Sequence, residues 1–292
     1  MTKQLDGRVI VVTGAGRGIG REHALLAARE GARVVVNDNG TAADGSGADD
    51  TIAAAVVDEI TAAGGSAVAS TVDITTLAGA QQVLDTALEV YGEVHGLVNN
   101  AGILRDRMFV NMSEEEWDDV ITGQLRGTFA PCRMFGAHWR DRSKAGDAVS
   151  ASIVNVSSTS GLIGAVGQSN YGAAKAGIAS LTQIIAQELG RYGVRANAIT
   201  PVARTRMTQD VPGIKELVAA PEDPDAFDVF HPGNVSPLVA YLLTADCPAT
   251  GAVFYAKGGE VRRFLPWSYG KVIDKGDRWT VEELKTEMVD LV

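Results

Sequence analysis

Val9-Ile10-Val11-Val12-Thr13-Gly14-Ala15-Gly16-Arg17-Gly18-Ile19-Gly20-Arg21-Glu22 is the stretch on which the fold turns. Its first four residues are aliphatic and β-branched without interruption, the pattern of a parallel strand covered on both faces. A glycine-dense turn follows, and then a helical pattern from 20 to 30. Such a strand–turn–helix brings backbone N–H groups and a helix N-terminus close to an anion, above all a pyrophosphate. Glycines 14, 18 and 20 follow G-x₃-G-x-G and not the G-x-G-x-x-G spacing.

Outward from this unit the same alternation repeats. Strand-like runs fall at 33–37, 67–72, 96–99, 152–157, 195–200 and 253–256, besides the first at 9–13. Helical patterns lie between them at 51–63, 77–91, 114–140, 171–192 and 237–245. Alternation of this kind predicts an α/β fold, a doubly wound parallel sheet of Rossmann type. Three stretches break it: a Gly/Asp/Ala-rich loop at 40–50, a proline-rich excursion at 201–232, and a C-terminal segment beyond 261. In the last, Thr280-Val281-Glu282-Glu283 is capping chemistry for a final helix. We therefore expect one domain over 1–261 and a C-terminal extension over 262–292.

The 292 residues, 46% hydrophobic and 21% charged, suffice for one large domain with a substantial core. A net charge of −10 disfavours nucleic acid or an anionic membrane face as partner. Two separated cysteines and four scattered histidines offer neither a disulfide framework nor a metal-ligand pattern, so no metal is expected. No apolar run approaches a membrane span and no leader-like segment opens the chain, which makes the cytosol the expected compartment.

Asp38 ends the second strand, eighteen residues beyond Gly20. A carboxylate there can accept hydrogen bonds from both hydroxyls of an adenosine ribose and would repel a 2′-phosphate, which favours NAD over NADP. Asn37-Asp38-Asn39-Gly40 is equally good turn chemistry. Further on, Tyr171 and Lys175 stand one helical turn apart on one face. An ammonium beside a phenol favours the phenolate, so the pair predicts a tyrosine acidified enough to exchange a proton with an alcohol. Ser157 and Ser158 close the apolar strand Ile153-Val154-Asn155-Val156, at the carboxyl end where open α/β sheets bind ligands.

In the glycine turn, Asn99-Asn100-Ala101-Gly102 and Tyr171-x-x-x-Lys175, the chain resembles the short-chain dehydrogenase/reductase family over about residues 5–260. The resemblance implies that Gly14, Arg17, Gly18, Ile19 and Gly20 wrap the pyrophosphate and that Asp38 binds the adenosine ribose. It implies that Asp73 and Ile74 flank the adenine, that Asn100, Ala101 and Gly102 line the ribose, and that Pro201, Val202 and Thr205 close over the nicotinamide. Ser158 would orient the substrate and Tyr171 would be the acid–base. Lys175 would be both ribose ligand and modulator of the tyrosine. Gln124 takes the place of the asparagine that usually holds a proton-relay water, and Val202 that of a usual glycine. Within the family, Ile103-Leu104-Arg105-Asp106-Arg107-Met108-Phe109 and Ser160-Gly161-Leu162-Ile163-Gly164 resemble the (3R)-hydroxyacyl-CoA dehydrogenases related to peroxisomal multifunctional β-oxidation enzymes. Some of that subgroup also act on steroid hydroxyls. A homotetramer built through the helices at 114–140 and 171–192 is expected on the same ground.

The resulting expectation is NAD-dependent interconversion of a secondary alcohol and a ketone on a small hydrophobic or acyl-CoA substrate. An NADPH-linked ketoacyl reductase and a non-catalytic NAD-binding sensor are the alternatives. Leu162, Gly164, Val166 and the segment 204–230 are candidates for the substrate pocket; Arg204, Arg206, Arg262 and Arg263 are candidates for CoA phosphates.

Overall fold

In the computed structural model of the chain, residues 3–205, 215–223, 225–265 and 267–291 are described. Arg206, and with it part of the expected pocket segment, lies outside them. Eight strands form one sheet in the order β3-β2-β1-β4-β5-β6-β7-β8. They are β1 (Val9–Thr13), β2 (Arg33–Asn37), β3 (Ser66–Ser70), β4 (Gly96–Asn99), β5 (Ala151–Val156), β6 (Val194–Val202), β7 (Val253–Lys257) and β8 (Glu260–Arg263). All pairings from β3 to β7 are parallel, and β8 runs antiparallel to β7. The helices are α1 (Gly18–Arg29), α2 (Thr51–Ala62), α3 (Leu77–Tyr91), α4 (Glu114–Val120), α5 (Gly127–Lys144), α6 (Thr159–Leu162), α7 (Ser169–Leu189), α8 (Ser236–Leu243) and α9 (Val281–Glu287). This is the doubly wound sheet that the alternation predicts, with the chain reversing direction across the sheet between β1 and β4.

The continuous apolar runs of the strands serve two cores. Ile10 and Val12 of β1 pack with Ala24 and Ala27 of α1, Val56 of α2 and Leu243 of α8. Val9 and Val11, their pleat neighbours, pack on the other face with Val83 and Leu84 of α3, Phe135 and Trp139 of α5 and Ile185 of α7. Successive side chains of a strand point to opposite faces, so a strand covered on both has no polar position to spare. Each such side chain contributes roughly 1.5–3 kcal/mol by leaving water.

Three elements differ from the sequence expectation. The helix expected over 114–140 is interrupted by a π-helical segment, Ile121–Arg126, between α4 and α5. The wide turn re-aims its side chains, and Gln124 is buried within it. β3 ends at Ser70 rather than 72, because the Asn37 amide takes the Val72 carbonyl at 3.0 Å and turns the chain out of the ladder. β8 is an addition. Three of its four residues are charged, the composition of a protected edge strand rather than of a core one. The final helix begins where its capping box directs: Glu283 N donates to Thr280 Oγ1 at 3.2 Å, and Thr280 N to Glu283 Oε2 at 2.7 Å. No residue of α9 is buried.

Candidate active site

The glycine turn is built by exclusion of side chains. A β-carbon at Gly14 would meet the Ala101 backbone at 2.7 Å, and one at Gly20 would meet the Gly14 carbonyl at 2.1 Å. Gly14 and Gly18 hold φ of +62° and +52°, which β-carbons oppose. Asn100 locks the turn from below: its amide donates to the Thr13 and Gly14 carbonyls at 3.1 and 2.9 Å. Thr13 Oγ1 in turn accepts from the backbone N–H groups of Asn100 and Ala101, at 3.1 and 3.2 Å. α1 starts at the end of this turn with no side chain capping it, so its first N–H groups are presented as an anion site.

Asp38 lies across the turn. Its Oδ2 accepts from Gly16 N and its Oδ1 from Gly40 N, both at 2.8 Å. The carboxylate shapes the loop, as the turn chemistry of 37–40 expects, and still lines the cavity. The loop at 40–50 folds back over 103–105, with Leu104 N donating to the Ala43 carbonyl at 3.0 Å.

The cavity has a volume of about 640 Å³ and joins the glycine turn to Ser158, Tyr171 and Lys175. Arg17, Ile19, Asp73, Ile74, Asn100, Ala101, Gly102, Gln124, Pro201, Val202 and Thr205 line it too, so every residue singled out for cofactor or chemistry faces one space. Sequence reasoning missed Thr41, Ala42 and Ala43 from the inserted loop, and Gln168 just before the helix that carries Tyr171. The position of the insertion directly after Asp38 was the signal for the first three. Of the pocket candidates, Leu217, Val218 and Phe230 line the cavity, whereas Leu162 packs into a small cluster with Ala179 and Ala198, and Val166 is exposed. Arg204 is taken up by Asp228 and by the Val218 carbonyl, and Arg262 pairs with Glu260. Neither lines the cavity, nor does Arg263.

Ser158 lies two residues beyond the end of β5 and caps α6, its Oγ accepting from Ser160 N at 3.2 Å. Tyr171 faces the same cavity as Ser158, and its own backbone N–H is fixed by Asn170 Oδ1 at 2.7 Å. Lys175 is buried; its Nζ lies 5.4 Å from the centre of the Tyr171 ring and donates to the Val156 carbonyl at 2.6 Å. Ser157 Oγ donates to the Lys175 carbonyl at 2.7 Å, tying α7 to the end of β5.

The electrostatic balance of the pair differs from the expectation. Burial pushes the Tyr171 phenol up to about 12; the Ser158 hydroxyl opposes this and the Asp106 charge adds to it. Burial also brings Lys175 down to about 7. Within the protein's own field, desolvation outweighs the attraction of ammonium for phenolate. The i, i+4 spacing shows that the two side chains meet, but it carries no information on how dry their meeting place is.

Gln124 is 2% exposed. Its Nε2 donates to the Ile103 carbonyl at 2.7 Å, while its Oε1 has no hydrogen-bond partner among the described residues. No cluster of metal-ligating side chains is present among the described residues.

The profile of short chain dehydrogenases matches residues 8–213. The chain is 46% identical over 294 residues to the hydroxyacyl-CoA dehydrogenase ChsB1 of Mycobacterium tuberculosis, covering 99% of this chain and 90% of that one. It is 42% identical over 254 residues to the peroxisomal multifunctional enzyme type 2 of Drosophila melanogaster, covering 87% of this chain but 39% of that longer protein. The crystal structure of a short chain dehydrogenase from Mycobacterium avium superposes with a TM-score of 0.87 at 51% identity, over 99% of this chain and 95% of the other. The relatives are those of the subgroup that the sequence resembles, and the protein is an oxidoreductase of the short-chain dehydrogenase/reductase family.

Proposed function

We propose that the chain is an NAD-dependent dehydrogenase that oxidises the secondary alcohol of a 3-hydroxyacyl-CoA thioester to the ketone, reversibly. The observation that carries the reading is the meeting of Ser158, Tyr171 and buried Lys175 in one cavity that opens on the glycine turn, with Lys175 Nζ 5.4 Å from the centre of the Tyr171 ring. The family uses nicotinamide cofactors, and the site fits one: the turn excludes β-carbons where a pyrophosphate needs close backbone approach, and the N-terminus of α1 is uncapped. Gly14, Arg17, Gly18, Ile19 and Gly20 would hold the pyrophosphate, Asp38 the adenosine ribose, and Asp73 and Ile74 the adenine. Asn100, Ala101, Gly102 and Lys175 would lie along the nicotinamide ribose, and Pro201, Val202 and Thr205 along the ring. Asp38 supports NAD over NADP, because a second anion at that place would meet a carboxylate.

When bound, the nicotinamide supplies the acceptor for the hydride that leaves the alcohol carbon. Ser158 donates to the substrate oxygen and fixes it beside Tyr171. Tyr171 as phenolate takes the hydroxyl proton as the C–O bond becomes a carbonyl, and as phenol it returns that proton in reduction. A phenol held near 12 by burial is a poor base at neutral pH, so Lys175 must act as ammonium, and positive charge near the ring must lower the phenol, for oxidation to run. Gln124 contributes the unpartnered Oε1, a place for a relay water between Lys175 and solvent. The acyl-CoA assignment is supported by the hydroxyacyl-CoA dehydrogenase name of a relative aligned along nearly its whole length. Assembly as a homotetramer through α4, α5 and α7 is supported by Trp117, Phe129 and Ile184, each more than a third exposed on those helices.

The test is Tyr171→Phe in the full chain, assayed with NAD against hydroxyacyl-CoA thioesters and steroid alcohols. Turnover falls about 10²–10⁴-fold while NADH fluorescence titration still reports binding. Undiminished turnover in that variant refutes the assignment.

A further inference from the structure

The stretch 103–107 runs from the cofactor side of the cavity along the start of α7 and is stitched to it. Arg107 N donates to the Gly167 carbonyl at 2.8 Å, and Arg107 pairs with Gln168 in a parallel bridge. Asn170 Nδ2 donates to the carbonyls of Arg105 and Glu116 at 3.0 and 2.9 Å, while its Oδ1 holds the Tyr171 backbone N–H.

Within this seam a chain of polar groups leads from Asp106 to Ser158. Gln168 Nε2 donates to Asp106 Oδ2 at 2.8 Å, and Ser160 Oγ donates to Gln168 Oε1 at 2.7 Å. Ser160 N then donates to Ser158 Oγ at 3.2 Å. An ionised carboxylate only accepts, so Asp106 obliges the NH₂ end of Gln168 to face it. The carbonyl end is thereby left for the Ser160 hydroxyl. One acceptor at the rim thus sets the sense of the first two links, and the third, from a backbone N–H, can run only one way.

We propose that Asp106 is a positioning residue for the alcohol–ketone reaction, fixing the Ser158 loop through Gln168 and Ser160 and standing as the negative charge that faces Tyr171. The proposal rests on Tyr171 being the acid–base. The other charges around that phenol are disposed otherwise. Lys175 stands on the same helix and is bound to the Val156 carbonyl. Arg105 and Arg107 of the stretch are paired with Asp119 and Glu116 of α4, at 2.9 and 2.8 Å. Lys257 at the end of β7 lies over the Phe230 ring. Asp106 meets only the neutral Gln168 amide among its described hydrogen-bond partners. A negative charge there disfavours the phenolate, the direction in which Asp106 acts on Tyr171.

The experiment is Asp106→Asn and Gln168→Ala in the full chain, with NAD and (3R)-hydroxydecanoyl-CoA over a range of pH. Asparagine keeps an acceptor for Gln168 and removes the charge. The pH at which kcat for oxidation rises moves down by roughly 0.3–0.5 units at low salt. That shift shrinks at high salt, because Asp106 is open to solvent. Gln168→Ala leaves the charge in place, so kcat falls about tenfold with the profile unmoved. Without substrate, amide exchange over 167–172 speeds up in Gln168→Ala and in Asp106→Ala, but not in Asp106→Asn. Should Asp106→Asn be insoluble, Asp106→Ser replaces it with the same expected direction. An Asp106→Asn profile superimposed on the wild type, or wild-type kcat in Gln168→Ala, overturns the proposal. Those results with Tyr171→Phe inactive sink this inference alone; an active Tyr171→Phe sinks the reading beneath it.

Discussion

The Gln124 side chain lies directly across Gly102. A β-carbon added at 102 would sit 2.3 Å from Gln124 Oε1 and 2.4 Å from Nε2. Gly102 is therefore a glycine because a buried amide occupies the space where its side chain would be. Gly102→Ala should cost about 1–3 kcal/mol of stability by overpacking, read from urea midpoints. In a Gln124→Ala background the same substitution should cost less than about 0.5 kcal/mol, the shortfall being the coupling between the two positions. Equal costs in both backgrounds would show that the amide is not what Gly102 makes room for.

Asp38 shapes the glycine turn with both carboxylate oxygens, and the proposed function gives its charge a second role in cofactor choice. Asp38→Asn keeps an acceptor for only one of the Gly16 and Gly40 N–H groups, which the two carboxylate oxygens now bind separately at 2.8 Å. The charge is lost, and with it the bias against a 2′-phosphate. The NAD/NADP preference in kcat/KM should fall by about tenfold, or 1.4 kcal/mol, and the melting temperature should fall with the loop hydrogen bond that the amide NH₂ cannot accept. An unchanged ratio would remove Asp38 from cofactor selection.

Lys175 makes the folded state sensitive to alkaline pH. Its value falls from 10.5 unfolded to about 7 folded, through burial. Between those two values the unfolded chain holds a proton that the native chain has released, so stability rises as pH rises through that window. Below about 7 both states are protonated and the cost of burying the ammonium is fully present. Unfolding of the cofactor-free protein should show this rise from pH 7.5 to 10 relative to Lys175→Met, in which the slope is absent. Parallel curves for the two proteins would contradict the burial of a titrating amine.

His23 predicts the opposite margin of the pH range. It is buried on α1 with Nδ1 2.8 Å from Ser236 Oγ of α8, and burial lowers it to about 3. Its contribution to stability is complete above the unfolded value of 6.5 and is lost as pH falls from there toward 3. Against His23→Asn, the wild type should lose up to about 1.4 kcal/mol per pH unit below 6, measured by urea unfolding at pH 7.5, 5.5 and 4.5. A gap independent of pH would mean that the ring titrates normally.

Much of this was legible in the residues because it depends on local rules. Val9–Thr13 had to be a covered parallel strand, and Gly14, Gly18 and Gly20 had to admit something close to the backbone. Tyr171 and Lys175 had to share a face. What escaped depends on contacts that sequence spacing does not encode. The π turn at Gln124 is one extra residue in a helix whose periodicity continues on both sides. β8 is too short and too charged to be told from a loop. Asp106 meets Gln168 across 62 positions of chain, and only the folded sheet brings them together. The sense of the Tyr171–Lys175 electrostatics belongs to the same group, since dryness is a property of the whole surround.

Asn100 has a consequence for thermodynamics beyond geometry. Its amide and the Thr13 hydroxyl fasten the glycine turn to the sheet through the protein's own atoms. Glycines lose more freedom than other residues when a loop freezes. Here that loss falls on folding, not on association, and a dinucleotide meets a receptor whose phosphate end is already rigid. Loosening the amide with Asn100→Ala would transfer the ordering to the encounter itself, so calorimetry should find binding with a less favourable entropy even where the enthalpy is kept.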